Sequence, residues 1–186
     1  MSLIQRGEIM LIKTSRFGPI QITEEDPILF TEGLLGFVNL KQFVLLDDPN
    51  DEIFAWLQSC DEENIAFPIL EPELFEEGFQ LKLSKADLAT LKEEDVTKLR
   101  VFCIITIPED PSKMTANLKA PVVVNVHERI ARQCVLQDNK LEIREPIFSK
   151  LQQRVVQSAP TAIKSQVADW GVAVKIDPEP KGEANL

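Results

Sequence analysis

Between Glu8 and Leu136 the apolar residues come in short runs, most of them closed off by proline, glycine, aspartate or asparagine. EIMLIKT (Glu8–Thr14), FGPIQI (Phe17–Ile22), ILF (Ile28–Phe30), FVLL (Phe43–Leu46), IFAWLQS (Ile53–Ser59) and IAFPIL (Ile65–Leu70) fill the first part. FQLKL (Phe79–Leu83), RVFCIITI (Arg100–Ile107), PVVVNV (Pro121–Val126) and RIARQCVL (Arg129–Leu136) fill the second. Runs of this length read as strands, because a helix needs about 10–12 residues to bury a stripe. Many short strands in sequence predict a closed or nearly closed antiparallel sheet. The absence of alternating β and α units disfavours a nucleotide-binding α/β fold.

Particular runs carry more detail. RVFCIITI is apolar almost throughout and predicts a central strand buried on both faces. FQLKL alternates, with Phe79, Leu81 and Leu83 on one face, and predicts a half-buried strand. Pro68 cannot donate a ladder hydrogen bond, which predicts an edge or a bulge in IAFPIL. His127–Glu128 reads as a two-residue hairpin connection. Ser84 followed by Asp87 is close to a capping box and predicts one short helix over about Lys85–Lys92. After Ile147, Phe148, Leu151 and Val155 fall at helical spacing until Pro160, and Ile163, Val167 and Trp170 repeat the spacing. Two units are therefore expected: a β domain over 1–147 and a partly helical extension over 148–186 with a disordered end.

The chemistry of known enzyme classes is hard to find. His127 is the single histidine and stands at an expected turn tip, a poor place to activate a nucleophile. Cys60, Cys103 and Cys134 are far apart and form no C-x-x-C, so neither a disulfide framework nor a zinc cluster is expected. No metalloprotease or phosphate-loop motif is present. Gly33 and Gly36 in EGLLGF are too close for a dinucleotide fingerprint and read as turn residues with positive φ. No apolar run approaches the ~20 residues of a membrane span. MSLIQRGEIMLIKTSRFG shows no secretory signal, so a cytoplasmic location is expected.

The net charge of −10 is concentrated. Residues 23–77 hold fifteen acidic side chains against one lysine, Lys41. Such a field repels nucleic-acid phosphates and attracts a basic partner. Paired carboxylates leave an acid–base or metal-dependent hydrolase open as an alternative, but charge runs are usually solvated.

PEDPSKMTANLKAPVVVNV (Pro108–Val126) resembles the distinctive motif of the FliW family of flagellar assembly factors. TSRFGPIQITEEDPILFTEGLLGF (Thr14–Phe37), FVLLDDP (Phe43–Pro49), FAWLQSCDEENIAFPILEP (Phe54–Pro72) and REPI (Arg144–Ile147) are similar to other blocks of that family, in order. The family usually starts near Met10, so Met1–Ile9 reads as an extension or an upstream start. The resemblance implies a mostly β, small antiparallel β-barrel-like domain without catalysis and without cofactor or metal. It implies two partners: newly made flagellin, and the CsrA-type RNA-binding regulator that represses flagellin translation. The two would compete for the factor in a partner switch. A general flagellin chaperone is the related alternative. On this reading Glu109, Asp110, Met114, Asn117 and Leu118 are expected partner contacts, together with Asp47, Asp48, Glu71 and Glu73 in the acidic segment. The prolines would stiffen the loop, and Met114 and Leu118 would offer adaptable apolar contacts. The competing view is that Thr115–Asn117 only closes the barrel through side chain–backbone bonds.

Overall fold

A computed structural model describes residues 7–157 and 163–177. Pro160 and the chain after Asp177, where a helix break and a disordered end were expected, lie outside the described residues. Twelve strands, two α-helices and four short 3-10 turns make up the regular structure among the described residues. The strands are β1 (Ile9–Thr14), β2 (Gly18–Thr23), β3 (Ile28–Phe30), β4 (Gln42–Asp47), β5 (Ala55–Ser59) and β6 (Ala66–Leu70). They continue as β7 (Arg100–Thr106), β8 (Thr115–Ala116), β9 (Val122–Asn125), β10 (Ile130–Gln133), β11 (Glu145–Pro146) and β12 (Val174–Lys175). The helices are α1 (Lys85–Leu91) and α2 (Phe148–Gln157).

Seven strands close into a barrel in the order β7-β6-β5-β4-β3-β10-β9, with β9 returning to β7. Six seams are antiparallel, and the seam between β3 and β10 is parallel, Ile130 facing Leu29. The expected small, mostly antiparallel β-barrel is what the chain forms, with one parallel seam that the strand runs do not announce. An odd ring cannot alternate direction all the way round, so one seam must be parallel.

Side chains alternate across the wall, as the pleat requires. Ile28, Phe30, Phe43, Leu45, Leu57, Ile69, Phe102, Val122 and Val124 fill the interior. The outward side chains are covered by separate pieces of chain. The β1–β2 hairpin lays Ile12, Ile20 and Ile22 over Val44, Leu46 and Trp56. The neighbourhood of α1 covers Val123 and Cys134. Met114, Leu118, Ile147 and Leu151 cover Leu70, Cys103 and Ile105 on the outside of β6 and β7. Both faces of β7 are thus buried, as its apolar run predicted.

Helix α1 begins where its residues dictate. Ser84 Oγ accepts the Asp87 N–H at 3.1 Å, and Asp87 accepts the Ser84 N–H in return, completing the capping box. Pro68 stands beside Trp56 on β5, where β7 does not pair, because β7 reaches only Ile69 and Leu70.

Three local readings are corrected. Phe79–Leu83 alternates in burial but pairs with no strand; its apolar side chains rest on the α1 cluster instead. The β9–β10 connection is four residues long, because Asn125 pairs with Ile130 and Arg129 takes φ +53°. Ile163–Trp170 is not an α-helix. Ile163–Gln166 runs without helix, and only Val167–Trp170 makes a 3-10 turn. The helical spacing there arises because Ile163 and Val167 enter different parts of the core.

Candidate docking surface

The expected contacts fall into two sets. The first follows β7. Glu109 and Asp110 are exposed and precede a 3-10 turn, Pro111–Lys113. Asp110 caps this turn by accepting the Ser112 N–H at 3.0 Å and the Ser112 hydroxyl at 2.6 Å. Those bonds hold the Asp110 carboxyl below its ordinary range.

Beyond the turn, β8 pairs with the end of β7 and β9 with its start. Two β7 residues, Cys103 and Ile104, separate the ladders; on the other strand Asn117–Pro121 bulges out. Asn117 closes this bulge: its N–H donates to Ile104 O at 3.1 Å, and its Oδ1 accepts the Ala120 N–H at 2.9 Å. The barrel-closing view of Asn117 therefore has direct geometric support.

Met114 and Leu118 are 7% and 2% exposed and sit in the cluster outside β6 and β7. The expectation that they offer apolar surface is corrected: the loop folds back, and these side chains are what covers β7. Asn125, at the end of β9, is buried too; its Nδ2 donates to Leu91 O at 2.8 Å and its Oδ1 accepts the Glu128 N–H.

The second set stands at the opposite end of the strands, where β4 and β6 finish and β7 begins. Asp48 accepts the Asn50 N–H at 2.9 Å, and Glu73 is exposed. Asp47 is bridged to Lys164 at 3.3 Å. Glu71 is buried, with Oε1 accepting the Gln166 N–H at 2.7 Å and Oε2 without a partner. Burial pushes the Glu71 carboxyl above its ordinary range, against the pull of nearby N–H donors. Helix α2 lies between the two sets. Its start follows Ile147, whose N–H donates to Met114 O, and Arg154 near its end donates to Glu73 O at 2.8 Å. The nine residues therefore do not form one continuous surface, and Met114, Leu118 and Glu71 are buried within it.

Two features escaped the sequence reading. Residues 163–177 pack along the second set, which no local pattern announces. Leu35 and Val38, in the loop between β3 and β4, are 58% and 60% exposed, and Phe37 beside them packs edge-on against Phe67. The signal was present in EGLLGF: Gly33 and Gly36 take positive φ, as expected, and that turn pushes Leu35 outward.

Burial raises the Cys60 and Cys134 thiols to about 12 and Cys103 higher still, so they stay protonated at neutral pH. His127 is exposed in its turn. Among the described residues no three His, Cys, Asp or Glu side chains converge as a metal site, and no helix is long and apolar enough to cross a membrane.

The fold and surface define a small closed β-barrel with outer sub-cores and an acidic exterior. A family model for the FliW protein matches residues 11–147. The chain is 62% identical over 167 residues to a flagellar assembly factor FliW of Bdellovibrio bacteriovorus, covering 90% of this chain and 95% of that one. A second FliW, of Thermoanaerobacter pseudethanolicus, is 34% identical over 143 residues, covering 76% and 95%. The crystal structure of a flagellar assembly factor FliW superposes with a TM-score of 0.70 at 31% identity, covering 75% of this chain and 97% of that one. The chain belongs to the FliW family of flagellar assembly factors.

Proposed function

We propose that this chain acts by occupancy in flagellar assembly, binding newly made flagellin and a CsrA-type RNA-binding regulator in turn and transforming neither. Binding the regulator would relieve its repression of flagellin translation; flagellin, while it accumulates, would hold the factor away from the regulator.

The observation that carries this reading is the unneutralised acidic exterior. Within residues 23–77, only Glu32, Asp47 and Glu76 form ion pairs among the described residues. The remaining carboxylates keep their field, which favours a basic, RNA-binding partner and disfavours RNA beside it. The exposed Leu35–Val38 loop supplies apolar surface for a second kind of contact.

The test is titration calorimetry with purified flagellin and purified regulator, separately and together. A stoichiometric complex with each, and displacement of one by the other, is the expected result. Raising salt to about 0.5 M shortens the screening length to about 4 Å and should weaken the regulator complex more than the flagellin complex. Failure to form either complex at physiological salt refutes the proposal.

A further inference from the structure

The described part of the C-terminal extension does not hang free. It runs as a strap across the end of the barrel where β4 and β6 finish, and each contact is specific. Lys164 pairs with Asp47 at 3.3 Å. The Ser165 N–H donates to Ile53 O at 2.8 Å, and the Gln166 N–H to the buried Glu71 carboxylate at 2.7 Å. Val167 is fully buried among the interior side chains, and Trp170 stacks on Phe102 with ring centroids 5.8 Å apart. The strap ends as β12, which pairs in parallel with Leu46 and Asp47 on β4. That edge of β4 is free because β3 occupies only Gln42 and Phe43.

Most of these contacts use backbone groups or side chains of the barrel itself. They recognise a segment with a cation, a branched apolar residue three positions on and an aromatic residue three further on, the last two opening and closing a 3-10 turn, followed by a two-residue strand. The barrel does not need a strap of its own to belong to the family. The family match ends at residue 147, and 97% of the neighbouring FliW crystal chain is spanned by 75% of this chain.

We propose that this end of the barrel is a docking groove for a peptide of the form Lys-x-x-Val-x-x-aromatic followed by a short strand, and that residues 163–177 occupy it in cis. A partner segment of that chemistry adds a strand to the open stretch of β4 once the strap is displaced. The strap lowers the affinity of any such partner in proportion to the fraction of time the groove is open. Asp47 and Glu71 then act as contacts for a cation and a backbone N–H.

The probe is a fluorescein-labelled peptide with the sequence of residues 163–177, titrated onto the full chain by anisotropy. Lys164→Glu in the chain places like charge against Asp47 and opens the groove without touching the core. The peptide should bind this variant about tenfold more tightly than the wild-type chain. The same peptide carrying glutamate in place of Lys164 should bind each chain about tenfold more weakly. Equal affinity for the two chains, indifference to the lysine, or no binding to any form overturns the proposal.

A second variant, Leu46→Cys with Val174→Cys, locks β12 to β4 across a strand spacing that a disulfide can span and leaves the Asp47 carboxylate in place. Oxidation should abolish peptide binding and reduction should restore it; binding that survives oxidation refutes the groove. Neither arm contains flagellin or a regulator, so failure here leaves the partner-switch reading to its own test.

Discussion

Asn117 separates a contact role from a structural one, and the structure gives the size of the difference. Truncation in Asn117→Ala removes the acceptor for the Ala120 N–H, a 2.9 Å bond on a residue only 4% exposed. A buried donor left without a partner costs about 1–3 kcal/mol. Taking about 2 kcal/mol, a chain of this size loses about 4–8 °C in Tm. Asn117→Asp keeps an oxygen in place and should lose less than half as much. Thermal denaturation followed by circular dichroism on the three proteins measures both shifts. Flagellin and regulator affinities, measured well below the transition, complete the comparison. If Asn117 is the latch of the bulge, Tm falls and affinity per folded molecule holds. An unchanged Tm for Asn117→Ala, with affinity lost, would refute the latch and restore Asn117 as a direct contact.

Three further outcomes follow from the same geometry. Met114→Ala empties a site in the cluster over β6 and β7 and should cost about 2–5 kcal/mol, read from the denaturant midpoint; a change below that range would mean the side chain is not packed as described. Gly33→Ala places a Cβ 2.6 Å from Phe37 O at a φ of +66°, so urea unfolding should show a loss of at least about 1 kcal/mol, the scale of a strained backbone position. Glu71 has its folded pKa raised by burial, so the folded state holds the proton more tightly than the unfolded chain; its contribution is most favourable below the unfolded pKa and is lost as pH rises through the folded one. Glu71→Gln keeps an acceptor for Gln166, and should raise Tm at neutral pH and remove that part of the decline; a lower Tm at pH 7 would show that the ionised carboxylate is needed.

What could be read from the residues depended on whether burial had a local cause. Helix α1 was legible because Ser84 and Asp87 cap it with their own side chains. RVFCIITI was legible because a strand covered on both faces has no polar side to show. FQLKL misled because alternation reports burial on one side and says nothing about a hydrogen-bonded neighbour; Phe79, Leu81 and Leu83 bury a face without joining a ladder. The loop after β7 misled in the opposite sense. Its prolines and charges read as surface, and Glu109 and Asp110 are there, but Met114 and Leu118 fill the outside of a strand nearby in space. The strap could not be read at all. β12 pairs only two residues with β4, more than a hundred positions earlier in the chain, and no periodicity records such a pairing.

The same packing decides how binding data on this protein have to be read. Met114 and Leu118 from the loop share one cluster with Ile147 and Leu151 at the start of α2 and with Ile163 at the start of the strap. A substitution at any of these residues disturbs the loop, the helix and the strap together, and energies of residues in contact do not add. Lost affinity in Met114→Ala would therefore locate nothing. Glu109 and Asp48 lie at opposite ends of the barrel strands and outside every apolar cluster. Charge reversal at one of them changes the field at one end only, and screening confines that change to about 8 Å at physiological salt. A partner that responds to Glu109 and not to Asp48 docks on the loop after β7. One that responds to Asp48 and not to Glu109 docks where the strap lies, and only there does competition with residues 163–177 arise.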